Sequence, residues 1–275
     1  MIEIFKAILF GIVEGITEWL PVSSTGHMIL LNEFVKLNVT DEFYEMFEVV
    51  IQLGAILAVV LTYFKVLFPW GFGKTKKDTK DTFNLWGKIL VACLPAAVIG
   101  ILFDDILDKY LYNAVVVSIA LIVYGVIFII LENKNIGTRE VKRIEDISYK
   151  QAFQIGAFQL LALIPGTSRS GSTIIGGLLV GLERSVVVQF TFFLAIPVMA
   201  GASLLKLLKY FVKVGFAFSG LEIAILGVSC LVAFFVSLLV IRLMMKYIKE
   251  HDIKPFGYYR IALGILVLLY FLIIK

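Results

Sequence analysis

Five largely apolar runs, at residues 49–64, 115–131, 186–205, 223–241 and 261–274, constrain this chain more than any other feature. Each is long enough, or nearly so, to cross a hydrocarbon core of about 30 Å as a helix. With 60% of its 275 residues hydrophobic and a mean hydropathy of +0.96, the chain lies well above what a soluble globule carries and reads as an integral membrane protein. The alternating strand pattern of a membrane β-barrel is missing, so the expected class is all-α and polytopic. The net charge of +4 sits mainly on loop lysines and arginines and reports on topology. Nucleic-acid binding is not expected. Cys93 and Cys230 lie in apolar segments, in no metal-ligand spacing, and read as small buried hydrophobes. Glu3, Glu14 and Glu18 interrupt the first apolar stretch, and no small-residue cleavage site follows, so the N-terminus is expected to be retained.

Against this background two stretches place polar chemistry where lipid should be. They are Glu14-Gly-Ile-Thr-Glu18-Trp-Leu-Pro-Val-Ser23-Ser24-Thr25-Gly26-His27 and Pro165-Gly166-Thr167-Ser168-Arg169-Ser170-Gly171-Ser172-Thr173. A charge at the centre of a membrane helix costs roughly 2.5 to 3.5 kcal/mol on insertion scales, so ionisable groups there point to function.

The halves of the chain share a weak self-similarity in order. Gly11-x-x-Glu14 matches Gly156-x-x-Gln159 at an offset of 145, Val49 to Gln52 matches Val186 to Gln189 at 137, and Ile119-Ala-Leu matches Ile261-Ala-Leu at 142. Such a pattern predicts an internal duplication within one membrane domain of residues 1–275, with halves of about 1–148 and 149–275. Basic loops at 74–80, 134–143 and 246–254 belong on the cytoplasmic side, and the acidic 104–108 turn on the outside. The resulting spans are 44–68, 85–103, 112–132, 184–208, 221–246 and 257–274. Lys206, Lys209 and Lys213 then fall on the outer side, against the rule. Segments 4–34 and 150–182 each read as helix, proline-containing break, helix. They are expected as two re-entrant hairpins entering from opposite faces, so that an inverted-topology repeat brings both breaks to the midplane.

The two polar stretches carry distinct chemistries. Glu14 and Glu18, four residues apart, share one helix face, and their like charges repel. A divalent cation, Mg²⁺ or Ca²⁺, resolves that conflict, since Mg²⁺ commonly takes one or two carboxylates and completes its shell with water and substrate phosphate. Ser24-x-x-His27 sets a hydroxyl and an imidazole one turn apart, suited either to a nucleophile with its base or to a phosphate ligand beside a general acid. Ser23 and Thr25 flank it as substrate-binding hydroxyls. Gly166, Thr167, Ser168, Ser170, Ser172 and Thr173 surround Arg169 at a helix start, where free N–H groups, hydroxyls and a guanidinium make a phosphate cradle. Gly11 with Gly15, and Gly177 with Gly181, read as close helix packing, and His251 as solvated and inert.

These two motifs, with the Gln52-Leu-Gly-Ala and Gln189-Phe-Thr-Phe-Phe-Leu-Ala-Ile-Pro197 stretches, resemble the bacterial undecaprenyl-diphosphatase family of the bacitracin-resistance type over most of the chain. The resemblance implies hydrolysis of undecaprenyl diphosphate to the monophosphate, recycling the lipid carrier of cell-wall synthesis in the bacterial cell membrane, with the site facing outside. It also implies that Glu14 and Glu18 are the acidic pair, Ser24 and His27 the nucleophile and acid/base, and Arg169 the phosphate-binding arginine, with a divalent cation required. The acid-phosphatase type of lipid phosphatase needs Ser-Arg-x5-His, whereas here Ile175 stands at the histidine position. The rival class is a lipid flippase or phosphate-substrate transporter, for which inverted repeats with broken helices are a common architecture. Gly-rich helix faces leave a homodimer open.

Overall fold

Helix formation follows the apolar runs. The computed structural model describes the whole chain except residues 72–73, 112, 217 and 274–275, and all other side chains except those of 104–109. In order the helices are α1 (Ile2–Thr17), α2 (Ser24–Phe34), α3 (Asp41–Val50), α4 (Gln52–Thr62), α5 (Phe64–Leu67), α6 (Lys76–Leu111), α7 (Ala114–Asn133), α8 (Tyr149–Gln159), α9 (Arg169–Leu179), α10 (Arg184–Val214), α11 (Gly220–Glu250) and α12 (Lys254–Ile273). Among the described residues the only β pairing is one isolated bridge, Val141 to Leu182. Polar side chains start several of these helices. Asn113 caps α7, while Ser148 with Gln151 and Ser219 with Glu222 form capping boxes on α8 and α11.

Six helical stretches are long and apolar enough to span a membrane: Asp41–Thr62, Lys76–Phe103, Ala114–Asn133, Arg184–Val214, Gly220–Glu250 and Lys254–Ile273. They match the six expected spans. The acidic 104–108 segment, expected as a turn, has helical backbone because α6 runs on to Leu111; its side chains lie outside the described residues. Rows of exposed apolar residues, such as Leu90, Leu94 and Val98 on α6 and Leu231, Phe235, Leu239 and Leu243 on α11, recur every four residues and present one greasy face each, as lipid contact requires.

The basic loops gather at one end of the bundle. There Glu132 pairs with Arg184 and Arg139, accepts from Ile253 N–H, and so ties the end of α7 to the start of α10 and to the turn between α11 and α12. Lys88 reaches the Glu145 carbonyl at the same end. Lys206, Lys209 and Lys213 lie toward the other end, where they share a cavity with Glu42 and Glu45 of α3, and Lys213 bridges Glu42 at 3.3 Å. Acidic neighbours therefore offset the lysine cluster that ran against the charge rule.

Both segments with proline breaks are helical hairpins. At the outer ends of α1 and α2, Lys6 Nζ donates to Lys36 O at 2.6 Å and Asn38 N–H to Glu3 Oε2 at 2.9 Å. In the second hairpin, Gln151 at the start of α8 donates to Val180 O, just past α9, at 3.0 Å. The first opens at the end away from the basic loops and the second at the basic-loop end. Each packs its first arm on a span from the other half, α1 on α11 and α8 on α6. A Cβ at Gly11 would lie 2.7 Å from Ser229 O, and one at Gly156 would collide with Ala92 O, so only glycine allows these close approaches.

The breaks themselves are alike. After Pro21 and Pro165 the backbone turns through left-handed Ser23 (φ 71°) and Ser168 (φ 74°), 145 residues apart. Each serine then caps the next helix, Ser23 Oγ accepting from Gly26 N–H at 3.3 Å and Ser168 Oγ from Gly171 N–H at 3.2 Å. A non-glycine residue held there costs of order 1–3 kcal/mol and persists only where its surroundings over-determine it. Arg260 of α12 provides that constraint. Fully buried, it donates from Nη1 to Pro21 O at 3.1 Å and from Nη2 to Gly166 O and Thr167 O, both at 2.8 Å. Tyr124 and Phe128 face its guanidinium at 5.8 and 5.6 Å. One side chain thus joins the two breaks. Arg260→Met would orphan three buried carbonyls and is expected to destabilise the fold by about 3 kcal/mol or more. Thermal unfolding of the detergent-purified chain reads this as a lowered midpoint, with Arg260→Lys, which lacks the planar fork, only a partial rescue.

Candidate active site

Ser24 and Arg169 are each the first residue of a helix after a break, at equivalent places 145 residues apart, and both turn onto Glu18 at the C-terminus of α1. Ser24 Oγ donates to Glu18 Oε2 at 2.6 Å, and Arg169 Nη2 to Glu18 Oε1 at 3.0 Å. Arg169 Nη1 is held by Thr191 O at 2.9 Å. Glu18 is 5% exposed, so this is a buried ion pair with a charge-assisted serine hydrogen bond on the same carboxylate. Trp19, fully buried edge-on against Phe192, anchors the adjoining backbone to α10.

The expected Ser24–His27 hydrogen bond is not made. His27 folds back over its own helix start, Nδ1 at 2.7 Å from Ser23 O, and Nε2 lies 2.7 Å from the Tyr259 hydroxyl, with the two rings stacked at 5.6 Å. The three-residue spacing is compatible with contact, but Ser24 points across the break while His27 points toward α12. The hydroxyl therefore meets a carboxylate where a histidine was expected.

Glu14 and Glu18 also part company. Both Glu18 oxygens are engaged by Arg169 and Ser24. Glu14 is fully buried, and among the described residues neither of its oxygens has a hydrogen-bond partner. They face different spaces. Glu14 lines a polar cavity of about 340 Å³ with Glu45, Glu48 and Lys206. Glu18 lines a larger, mainly apolar cavity of about 460 Å³ that runs between α6, the α8–α9 break and α10. Ser24, Thr25 and Gln52 border both cavities, so the two meet beside the serine. Among the described residues no three His, Cys, Asp or Glu side chains gather as a ready metal cluster.

Of the expected cradle, Gly166, Ser168 and Arg169 line the larger cavity, as Ser23 does from the first break. Gly166 adopts φ +89°, and a Cβ there would run into the Val117 carbonyl. Thr167, Ser170, Ser172 and Thr173 do not face either cavity. They are buried and serve the scaffold: Thr167 gives its carbonyl to Arg260, Ser170 Oγ reaches Glu18 O and Leu20 O at 3.4 and 3.3 Å, Ser172 Oγ bonds Ser168 O, and Thr173 Oγ1 bonds Arg169 O and Thr191 Oγ1. In the first turn of a helix a hydroxyl readily bonds the carbonyl three or four residues back, and at Ser172 and Thr173 that local bond wins. Two further residues stand at the site without a role in the motifs: Arg260, whose isolated charge at the head of an apolar run is the available signal, and Gln52, a polar residue inside such a run and part of the repeat.

The family model described as bacitracin resistance protein BacA matches residues 7–266. Among curated relatives, the undecaprenyl-diphosphatase of Acetivibrio thermocellus is 57% identical over 276 residues, covering 100% of both chains. Those of Desulfitobacterium hafniense and Enterococcus faecalis are each 58% identical, covering 98% of this chain and 97% of their own. With likeness of that depth over the whole length, the chain belongs to the BacA family of bacitracin resistance proteins.

Proposed function

We propose that this chain hydrolyses undecaprenyl diphosphate to undecaprenyl phosphate and inorganic phosphate, returning the lipid carrier to cell-wall synthesis and so conferring bacitracin resistance. The observation that carries the reading is the Ser24 hydroxyl held 2.6 Å from a carboxylate whose other oxygen is paired with Arg169. The apolar cavity between α6 and α10 accepts the start of the prenyl tail, and the headgroup lies at its polar end beside Arg169 and Ser168. When the terminal phosphate arrives, the guanidinium exchanges Glu18 for phosphate oxygens, and the carboxylate so freed takes the Ser24 proton. Ser24 Oγ attacks the terminal phosphorus in line, the bond to the bridging oxygen breaks, and the lipid monophosphate leaves. Water then attacks the phosphoserine, the P–Oγ bond breaks, and Glu18 returns the proton to Ser24. His27, clamped between Ser23 O and Tyr259, positions the start of α2.

Glu14, whose two oxygens have no partner among the described residues and which lines the same cavity as Gln52, suits a divalent cation of the Mg²⁺ or Ca²⁺ kind, a hard ion that takes oxygen ligands. When bound, such an ion supplies positive charge against the diphosphate. The two halves read as an inverted repeat in a bacterial cell membrane. The first hairpin opens away from the basic loops, so the site is reached from the outside. Transport without cleavage has no use for a serine hydroxyl held against a carboxylate.

Two outcomes test this. In detergent, Glu18→Gln is expected to lose at least about a hundredfold in kcat for phosphate release, whereas His27→Gln, which leaves the Ser24–Glu18 contact in place, loses much less. Equal losses would return the base to the histidine. A chelator is expected to abolish turnover, and Glu14→Gln to raise the Mg²⁺ concentration for half-maximal rate by about tenfold or more while saturating Mg²⁺ restores much of kcat. An unchanged Mg²⁺ titration would move the ion elsewhere.

A further inference from the structure

Gln159 ends α8, one residue before the 3-10 turn Leu160–Leu163, and is 2% exposed. Among the described residues neither its amide nitrogen nor its amide oxygen has a hydrogen-bond partner. The residue borders the larger cavity together with Arg169, Ser168 and Glu18. A buried amide left unsatisfied on both atoms lowers stability, and an apolar side chain of similar size would fill the same space without that loss. The position therefore serves a polar ligand that enters the cavity.

The cavity that Gln159 lines has walls of two kinds. Ala162, Leu163 and Ile164, just after it, line the apolar part with Ala96 and Ala97 of α6, while Arg169 and Ser168 line the polar end. Resting on the proposed hydrolase reading, the terminal phosphate occupies the end beside Ser24 and Arg169. The phosphate joined to the prenyl chain then falls at the seam between polar and apolar walls.

Its counterpart in the first half, 145 residues earlier, is Glu14, likewise buried and unpartnered among the described residues, but facing the polar cavity. The difference in side chain fits the difference in ligand: a carboxylate attracts a cation, whereas a neutral amide donates to an anion without repelling it. We propose that Gln159 is a substrate-binding residue whose amide N–H groups hold the lipid-proximal phosphate, and that it keeps this contact with the lipid monophosphate after cleavage.

The test compares wild type, Gln159→Leu and Gln159→Glu, each as the full chain in detergent, by thermal midpoint and by kcat and KM with farnesyl diphosphate. Inhibition by farnesyl monophosphate and by inorganic phosphate is measured alongside. Gln159→Leu is expected to keep or raise the midpoint, since it removes orphaned polar atoms. It is also expected to raise both KM and the monophosphate inhibition constant about tenfold, the size of one hydrogen bond to a charged group, and to leave inorganic-phosphate inhibition unchanged. Gln159→Glu is expected to bind the monophosphate more weakly still. Unchanged KM and monophosphate inhibition in the Leu variant would overturn the assignment. So would equal weakening toward inorganic phosphate, which would place the contact on the terminal phosphate, or a fall in midpoint that tracks the loss of affinity, which would make the residue structural. Wild-type protein that released no phosphate would instead defeat the hydrolase reading, and monophosphate-induced thermal shifts of the same three proteins would still decide the role of Gln159.

Discussion

The fold depends on a single constraint: two helices broken inside an apolar bundle leave backbone carbonyls that water cannot reach. Each orphan would cost free energy comparable to a lost hydrogen bond, and irregular backbone at that depth survives only where protein satisfies it. Arg260 answers the constraint with one planar fork that takes Pro21 O from the first break and Gly166 O and Thr167 O from the second. Because the same guanidinium holds both, the breaks cannot move independently. The strained backbones of Ser23 and Ser168, and the side chains that follow them, are held in register with each other.

That register brings Ser24 and Arg169 onto one carboxylate. A buried ion pair is a poor device for stability, since desolvation offsets much of its attraction. As a resting arrangement for a phosphate site it has clear uses. In the proposed mechanism Glu18 keeps the guanidinium satisfied until an anion arrives, and then becomes available to the serine it already touches. In the proposed reaction the two cavities would divide the remaining work, the apolar one between α6 and α10 taking the prenyl chain and the polar one around Glu14 taking an ion.

Legibility in the sequence varied with the kind of contact. The six spans follow from apolar run length, a local property, and they matched to within several residues at most ends. The exception is α6, which extends past the expected acidic turn because nothing in that stretch breaks a helix before Leu111. Glu18, Ser24 and Arg169 were visible as polar groups at membrane depth. Their partners were not, because periodicity tells which side chains share a helix face but not which way the chain turns after a proline. Hence spacing alone pairs His27 with Ser24, and it offers as phosphate ligands the buried hydroxyls of Ser170, Ser172 and Thr173, which bond carbonyls nearby.

Taken by itself, the sequence determined the membrane setting, the number of spans, the two breaks and the residue types capable of phosphate chemistry, since all of these rest on composition and spacing along the chain. Only the tertiary structure decided that Glu18 serves both Ser24 and Arg169, that Glu14 and Gln159 face separate cavities, and that Arg260 joins the breaks. Each of these is a contact or a wall made by residues up to 239 positions apart. Such choices are set by how the hairpins pack against the spans of the opposite half, where steric fit and the satisfaction of buried polar groups outweigh any local preference.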